Sequence, residues 1–381
     1  MSKRCVVFDV RQKLRVLHIL GELRPSGAEC MLKVAAKEFA SHGILNEILS
    51  TGSAEIGPYA PVMRGVGYAV HHIPFSKSLK CFLDVYKLMR ARRYDVIHIH
   101  SERANFWFAL TARFAGVPKV VSTIHAIFAF RGWLRIRRMI FRRLQNHLGV
   151  IRVAIGPSVQ EVEQKHFGCN TEIVPNWYDS DRFVPPTLGQ RNDSRKRFGL
   201  DEETFAILSV GNCSKIKNHH ALIEAIALLP RDRRLTYLHV GAEEPGNPEQ
   251  ELAQILGISN QIQFLGQLEN PLPAFFAADL YVMPSVSEGF GIAALEAAAV
   301  GLPMVLANVP GLRDFKHWFQ DIHYSEPDAE DLRRVLSGLI AQHQETHSRR
   351  MHSDILAIRD LFGVNRGVAE YVRLYQKSIK T

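Results

Sequence analysis

The chain of 381 residues is too long for one ordinary core and suits two domains of about 150 to 200 residues each. Five cysteines, Cys5, Cys30, Cys81, Cys169 and Cys213, form no CxxC, which argues against a disulfide framework or a zinc site and fits a reducing cytoplasm; no run of about 18 apolar residues offers a membrane span. The net charge of +9 is uneven: residues 1–170 hold 26 Lys and Arg against 11 Asp and Glu, and the remainder 21 against 27, so an anionic partner, membrane or nucleic acid, is expected for the first half alone.

The opening MSKRCVVFDVRQKLRVLHIL lacks an apolar core followed by a small-residue cleavage site, and no signal peptide is expected. Arg15 to Leu20 reads as a buried strand, and GELRPSGAE leads into an amphipathic helix with Met31, Leu32, Ala35, Ala36 and Phe39 inward. Gly21 and Gly27 flank the turn at the strand's carboxyl end, where doubly wound sheets bind ligands. The strand-like runs NEILST, YAVHHIPF, DVIHIHS, KVVSTIHA, VIRVAIGPS and TEIVPN alternate with helical runs and predict a mainly parallel sheet covered on both faces. Of the histidines at strand ends, His125 is a candidate for a ligand cleft, while His98 and His100 read as structural.

Residues 131–149, RGWLRIRRMIFRRLQNHLG, space Trp133, Ile136, Ile140, Leu144 and Leu148 as one stripe of a helix, with Arg135, Arg138 and Arg142 beside it. Two readings stay open. The helix lies on anionic lipid, each arginine contributing on the order of 1 kcal/mol near the surface, or its apolar stripe packs on the sheet and its arginines are solvated. VPNWYDSDRFVPPTLGQRNDSRKRFGLDEE then reads as an interdomain connection. Phe205 to Gly211 opens a second series of strands, followed by NCSKIKNHHALIEAIALLP, where Lys217 precedes a helix and can reach a phosphate.

In PSVSEGFGIAALEAAAVGLP, residues 284–303, a strand ends at Pro284, Gly289 and Gly291 leave a loop backbone uncovered, and a helix follows from Ile292, stopped by Gly301 and Pro303. A helix start of this kind accepts an anion such as a diphosphate. Glu288 lies just outside the helix and Glu296 one turn inside, so two carboxylates suited to gripping hydroxyls converge there. The plainer reading is a buried βα unit with two surface glutamates.

EGFGIAALEAAAVGLP resembles the E-x7-E segment of retaining glycosyltransferases of glycosyltransferase family 4. The resemblance implies an α/β, GT-B fold: two Rossmann-like, doubly wound parallel-sheet domains facing a central cleft. They are expected at 1–185 (acceptor side) and 186–360 (nucleotide-sugar side), with 361–381 as a terminal helix that crosses back or simply packs at the end. It assigns Glu288 to donor sugar hydroxyls, Glu296 to the ribose, and Gly289, Phe290, Gly291 and Ile292 to the diphosphate end. The match continues at Ser26-Gly27-Ala28-Glu29, which makes Gly27 a donor contact, and at His125, which bonds the donor sugar or its phosphate. Lys217 and Asn218 match a Lys-Asn pair, but Asn212 stands where the family has an arginine, leaving Lys215 to compensate. Trp177 replaces the glycine of a Pro-Asn-Gly turn.

The implied activity is transfer of a sugar from a nucleoside diphosphate sugar with retention, needing neither metal nor cofactor, with His125, Glu288 and Lys217 as the catalytic group. The expected acceptor is a glycan or lipid-linked molecule of cell-surface polysaccharide or lipopolysaccharide biosynthesis. The protein is then cytoplasmic, with Arg135, Arg138 and Arg142 meeting the acceptor or an anionic membrane at its inner face. Nucleic acid is not expected as a partner, since the basic half lacks interleaved aromatics. A non-catalytic nucleotide-sugar binder is the alternative.

Overall fold

A computed structural model describes residues 13–128, 130–230, 234–319, 322–346 and 355–377. The first sheet takes β1 (Leu14–Leu20), β2 (Ile44–Ser50), β3 (Ala69–His72), β4 (Val96–Ile99), β5 (Lys119–Ile124), β6 (Ile151–Ala154) and β7 (Glu172–Ile173). Between them run α1 (Gly27–Ser41), α2 (Ala60–Gly65), α3 (Leu79–Arg92), α4 (Asn105–Phe114), α5 (Gly132–His147) and α6 (Pro157–Phe167). The second takes β8 (Phe205–Val210), β9 (Leu235–Val240), β10 (Ile262–Phe264), β11 (Leu280–Met283), β12 (Met304–Ala307) and β13 (Ile322–Ser325). Its helices are α7 (Leu188–Arg197), α8 (His219–Ala227), α9 (Pro248–Ile255), α10 (Leu272–Ala277), α11 (Ile292–Ala299), α12 (Ala329–Thr346) and α13 (Ile355–Phe362), and α14 (Val364–Gln376) ends the described chain.

Every strand pair is parallel, and the orders are β3-β2-β1-β4-β5-β6-β7 and β10-β9-β8-β11-β12-β13. The sheets are parallel, as the strand alternation predicts, and form the pair of doubly wound α/β domains that the family resemblance implies. Strands such as LYVM in β11 are buried throughout, as parallel strands covered on both faces must be. Each order reverses direction once, between β1 and β4 and between β8 and β11, and the crevice at the carboxyl ends of those strands is where such a sheet takes a ligand.

The two domains share one apolar core on one side of that crevice. Ile124, Ala154, Ile155 and Val159 from the first pack with Phe290, Leu312 and Phe315 from the second. Asp314 then caps the start of α6 from the opposite domain, accepting from the Ser158 backbone N–H at 2.9 Å and its hydroxyl at 2.6 Å. Helix α14 lies on α1 of the first domain: Tyr375 meets His98 at 2.6 Å, and the Lys119 ammonium donates to the Tyr375 carbonyl at 2.6 Å.

Trp177 explains its own substitution. The indole is buried, donates from Nε1 to the Met31 carbonyl at 3.0 Å, and sits against α14 where Gly367 has no side chain; a Cβ there would collide with the ring. The residue that departs from the family turn is thus the wedge between α1 and the last helix. Among the described residues no helix is long and apolar enough to cross a membrane.

Candidate functional site

One wall of the crevice is the loop after β11. Gly291, at φ 85°, turns the chain into α11, a conformation that disfavours side chains. Gly289 presses on the other domain, and a Cβ there would collide with the carbonyl oxygen of His125. Glu288 is half-buried, pairs with the Lys217 ammonium and accepts from the Ser285 hydroxyl at 3.1 Å. Glu296 follows inside the helix. Burial pushes its carboxyl up to about 8, with Arg182 working against that shift and Asp179 adding to it. Near neutral pH this group therefore keeps its proton and can both donate to and accept from hydroxyls.

The arm carrying Lys217 follows β8, on the other side of the same switch point. Its stem passes over Gly211, whose missing Cβ would sit 3.4 Å from the lysine Cε. The two loops are stitched together: Val286 donates to the Ile216 carbonyl at 2.9 Å, and the Asn218 amide donates to the carbonyls of Pro284 at 3.1 Å and Pro327 at 2.9 Å. So the asparagine of the Lys-Asn pair fixes where its lysine stands. Asn212 is exposed and its amide oxygen accepts from the Ala242 backbone at 2.9 Å; Lys215 is exposed on the same loop.

The facing wall belongs to the first domain. Gly27 opens α1 so close to Ile292 that an added Cβ would lie 3.2 Å from its Cδ1. Two groups there escaped the sequence reading. Glu29 is buried beside the Ser26 hydroxyl, and burial raises its carboxyl; Arg182 is the cation that acts on Glu296. The only signal for either was its place in a quoted motif.

His125 stands at the head of a row of rings. Its Nε2 is 2.9 Å from His100 Nδ1, His100 Nε2 is 3.0 Å from His18 Nδ1, and His18 Nε2 is 3.0 Å from the Asn46 amide oxygen. His98 is held separately, by Tyr375 at 2.6 Å and Thr123 at 2.7 Å. Ligating atoms of His18, His98 and His100 lie within 4.8 Å of one another, yet the ring nitrogens of all three are already hydrogen-bonded to protein groups, so hydrogen bonding accounts for the trio without a metal.

Two expectations need correction. The side chain of Phe290 is core, packed among Phe315, Trp318 and Phe362, so only its main chain borders the crevice. Helix α5 does not pack its apolar stripe on the sheet, and two of the three arginines expected to meet acceptor or membrane turn inward. Arg142 is buried in a two-pronged pair with Glu163 at 2.7 and 2.8 Å, reaches Glu102 at 3.2 Å and lies over the Phe167 ring. Arg138 bonds the Glu102 carbonyl at 3.0 Å and pairs with its carboxylate at 3.2 Å. Neither is free for lipid or acceptor. Trp133, Ile136, Ile140 and Leu144 instead face solvent, Trp133 at 72% exposure, with Arg131, Arg135, Arg137 and Arg143 exposed around them.

Residues 25–182 match the family model Glycosyltransferase Family 4, and residues 190–352 match Glycosyl transferases group 1. D-inositol 3-phosphate glycosyltransferase 1 of Catenulispora acidiphila is 30% identical over 312 residues, 73% of each chain. The chain belongs to glycosyltransferase family 4. The family 4 chain is also 27% identical over 252 residues to the UDP-Gal:alpha-D-GlcNAc-diphosphoundecaprenol alpha-1,3-galactosyltransferase of Escherichia coli, 63% of this chain. That match spans less than two thirds, 64%, of the Escherichia coli enzyme's length. In fold, it superposes on Anabaena Alr3699/HepE in complex with UDP and glucose with a TM-score of 0.77 at 20% identity, covering 95% of this chain and 100% of that one. The fold is GT-B.

Proposed function

We propose that this family 4 protein moves a sugar from a nucleoside diphosphate sugar, with retention of configuration, to a glycan or lipid-linked acceptor in cell-surface polysaccharide or lipopolysaccharide biosynthesis. The observation that carries the reading is the convergence of Lys217, Glu288 and the glycine-walled start of α11 at one switch point, opposite His125. A diphosphate placed there takes Lys217 from Glu288, and Glu288 is released to accept from sugar hydroxyls. Glu296, protonated, serves the ribose. As the anomeric carbon loses the phosphate, Lys217 and the helix start stabilise the departing charge, and the phosphate takes the acceptor proton on the same face. No protein nucleophile and no metal enter these steps.

The UDP bound by the Anabaena protein and the diphosphoundecaprenol acceptor named for the Escherichia coli enzyme support this donor and acceptor class. The exposed stripe on α5 supports a membrane-borne acceptor, reached by peripheral contact of that helix with an anionic inner leaflet. The test is a panel of UDP, GDP and ADP sugars with cell membranes as acceptor, following nucleotide release and the anomer formed. Release that is unchanged by Glu288→Ala, or product of inverted configuration, refutes the reading. Cosedimentation with anionic liposomes should be lost in Trp133→Asp/Ile140→Asp.

A non-catalytic nucleotide-sugar binder is the second reading, favoured by Asn212, which supplies no charge and bonds its own domain's backbone. It predicts donor binding without nucleotide release for any acceptor.

A further inference from the structure

The rings behind His125 form a file with a direction. Each link contains one N–H, so neutral rings leave only two arrangements, and the group at the far end selects between them. Burial keeps the rings neutral: it pulls His18 and His125 down to about 4 and His100 well below the ordinary histidine value, neighbouring histidines adding to the last. At the far end Asn46 presents its amide oxygen, so His18 carries its hydrogen on Nε2 and offers a bare Nδ1. His100 must then donate from Nε2, and its Nδ1 must accept from His125 Nε2. Among the described residues the ring of the half-buried His125 is bonded at Nε2, which leaves Nδ1 as the nitrogen turned to the crevice.

We propose that Asn46, His18 and His100 are positioning residues that fix His125 as its Nε2–H tautomer, so that the free Nδ1 accepts a hydrogen bond from a hydroxyl of the transferred sugar. This deepens the donor-site reading and rests on it. A bare lone pair repels a phosphate oxygen and welcomes an O–H, whereas the Lys217 ammonium attracts the phosphate. The two walls therefore orient the donor, with diphosphate toward the second domain and sugar toward the first. Asn46 lies on β2, three imidazoles away from the sugar hydroxyl, so it acts only through the file.

The experiment is long-range 1H–15N NMR on the histidine-labelled full chain near neutral pH, with His125 signals assigned by subtraction of a His125→Ala spectrum. The wild type should show His125 with Nε2 protonated and Nδ1 bare. Asn46→Ala should give a mixture of tautomers, and Asn46→Asp, which keeps an acceptor, should restore the single form. In step, kcat/KM for the preferred donor should fall on the order of tenfold in Asn46→Ala, the size of one mispaired hydrogen bond, and recover in Asn46→Asp, with UDP affinity unchanged in both. A wild-type His125 protonated on Nδ1, or a spectrum that ignores Asn46→Ala, overturns the proposal. So does unaltered turnover in Asn46→Ala. Full turnover by His125→Ala would strike the donor-side role of His125 itself and leave the NMR result standing, so the two failures are distinguishable.

Discussion

Helices α11 and α5 each carry much of what the sequence says about function, and they treat apolar residues in opposite ways. In α11, Ala294, Leu295, Ala297, Ala298 and Ala299 are buried and the polar Glu296 looks into the crevice. In α5 the buried residues are Arg142 and Gln145, while a tryptophan, isoleucines and leucines are exposed. Helical spacing shows that an apolar stripe exists; which side of it is the inside depends on the neighbours. Around α11 these are strands that need covering. Around α5 they are Glu102, Glu163 and Asn105, and a polar, hydrogen-bonded inward face is the consequence.

The contrast can be broken most directly at its catalytic end. Glu288→Ala should reduce nucleotide release with donor and acceptor by about 10²- to 10³-fold, the cost of losing one preorganised polar contact in a charge-developing site. Wild-type release would remove the loop that leads into α11 from the chemistry. Next, Arg142→Met should lower stability by about 3–5 kcal/mol in urea unfolding, because Glu163 is left buried without its partner. Exposed Arg135→Ala should stay within about 0.5 kcal/mol, and equal effects at the two arginines would undo the inside-out reading of α5.

A smaller effect comes from Glu296. The folded chain keeps a proton up to about 8 that the unfolded chain releases near 4.5, so the folded state binds more protons between those values. Stability contributed by this group is present below that window and is lost as pH rises through it. Melting temperature against pH should therefore slope downward, and Glu296→Gln should flatten the slope; a steeper slope in the variant contradicts the assignment. Smallest of all, Trp133→Asp should change stability by less than about 0.5 kcal/mol although it replaces a large apolar residue, and should weaken only liposome binding.

Much of the crevice was legible because its parts are local. Glycines, two carboxylates and a helix stop within 284–303 define a backbone shape wherever they occur, and strand alternation gives the sheets. What was illegible depends on residues distant in the chain. Arg142 turns inward because of Glu163 and Glu102, Trp177 fits because Gly367 is bare, and the histidine file exists because the strand order sets β1 between β2 and β4. Gly27 stood out at a strand-end turn and Gly289 as uncovered backbone, but what they admit, Ile292 and the His125 carbonyl, belongs to the opposite domain.

A joint between the two domains bears on how the crevice could open. The chain passes between the domains on either side of Tyr178 and again at Phe362 and Gly363, and the passages touch: Tyr178 donates to the Phe362 carbonyl at 3.2 Å and pairs with Gly363 in a parallel bridge. Two bodies fastened by a single strand can swivel, twist and slide. Fastened by two joined strands, they keep mainly one rotation, about an axis through the fastening, like a book held at its spine. A rotation of that kind would preserve register: on each closure Gly289 would return to the same carbonyl and Ile292 to the same gap beside Gly27.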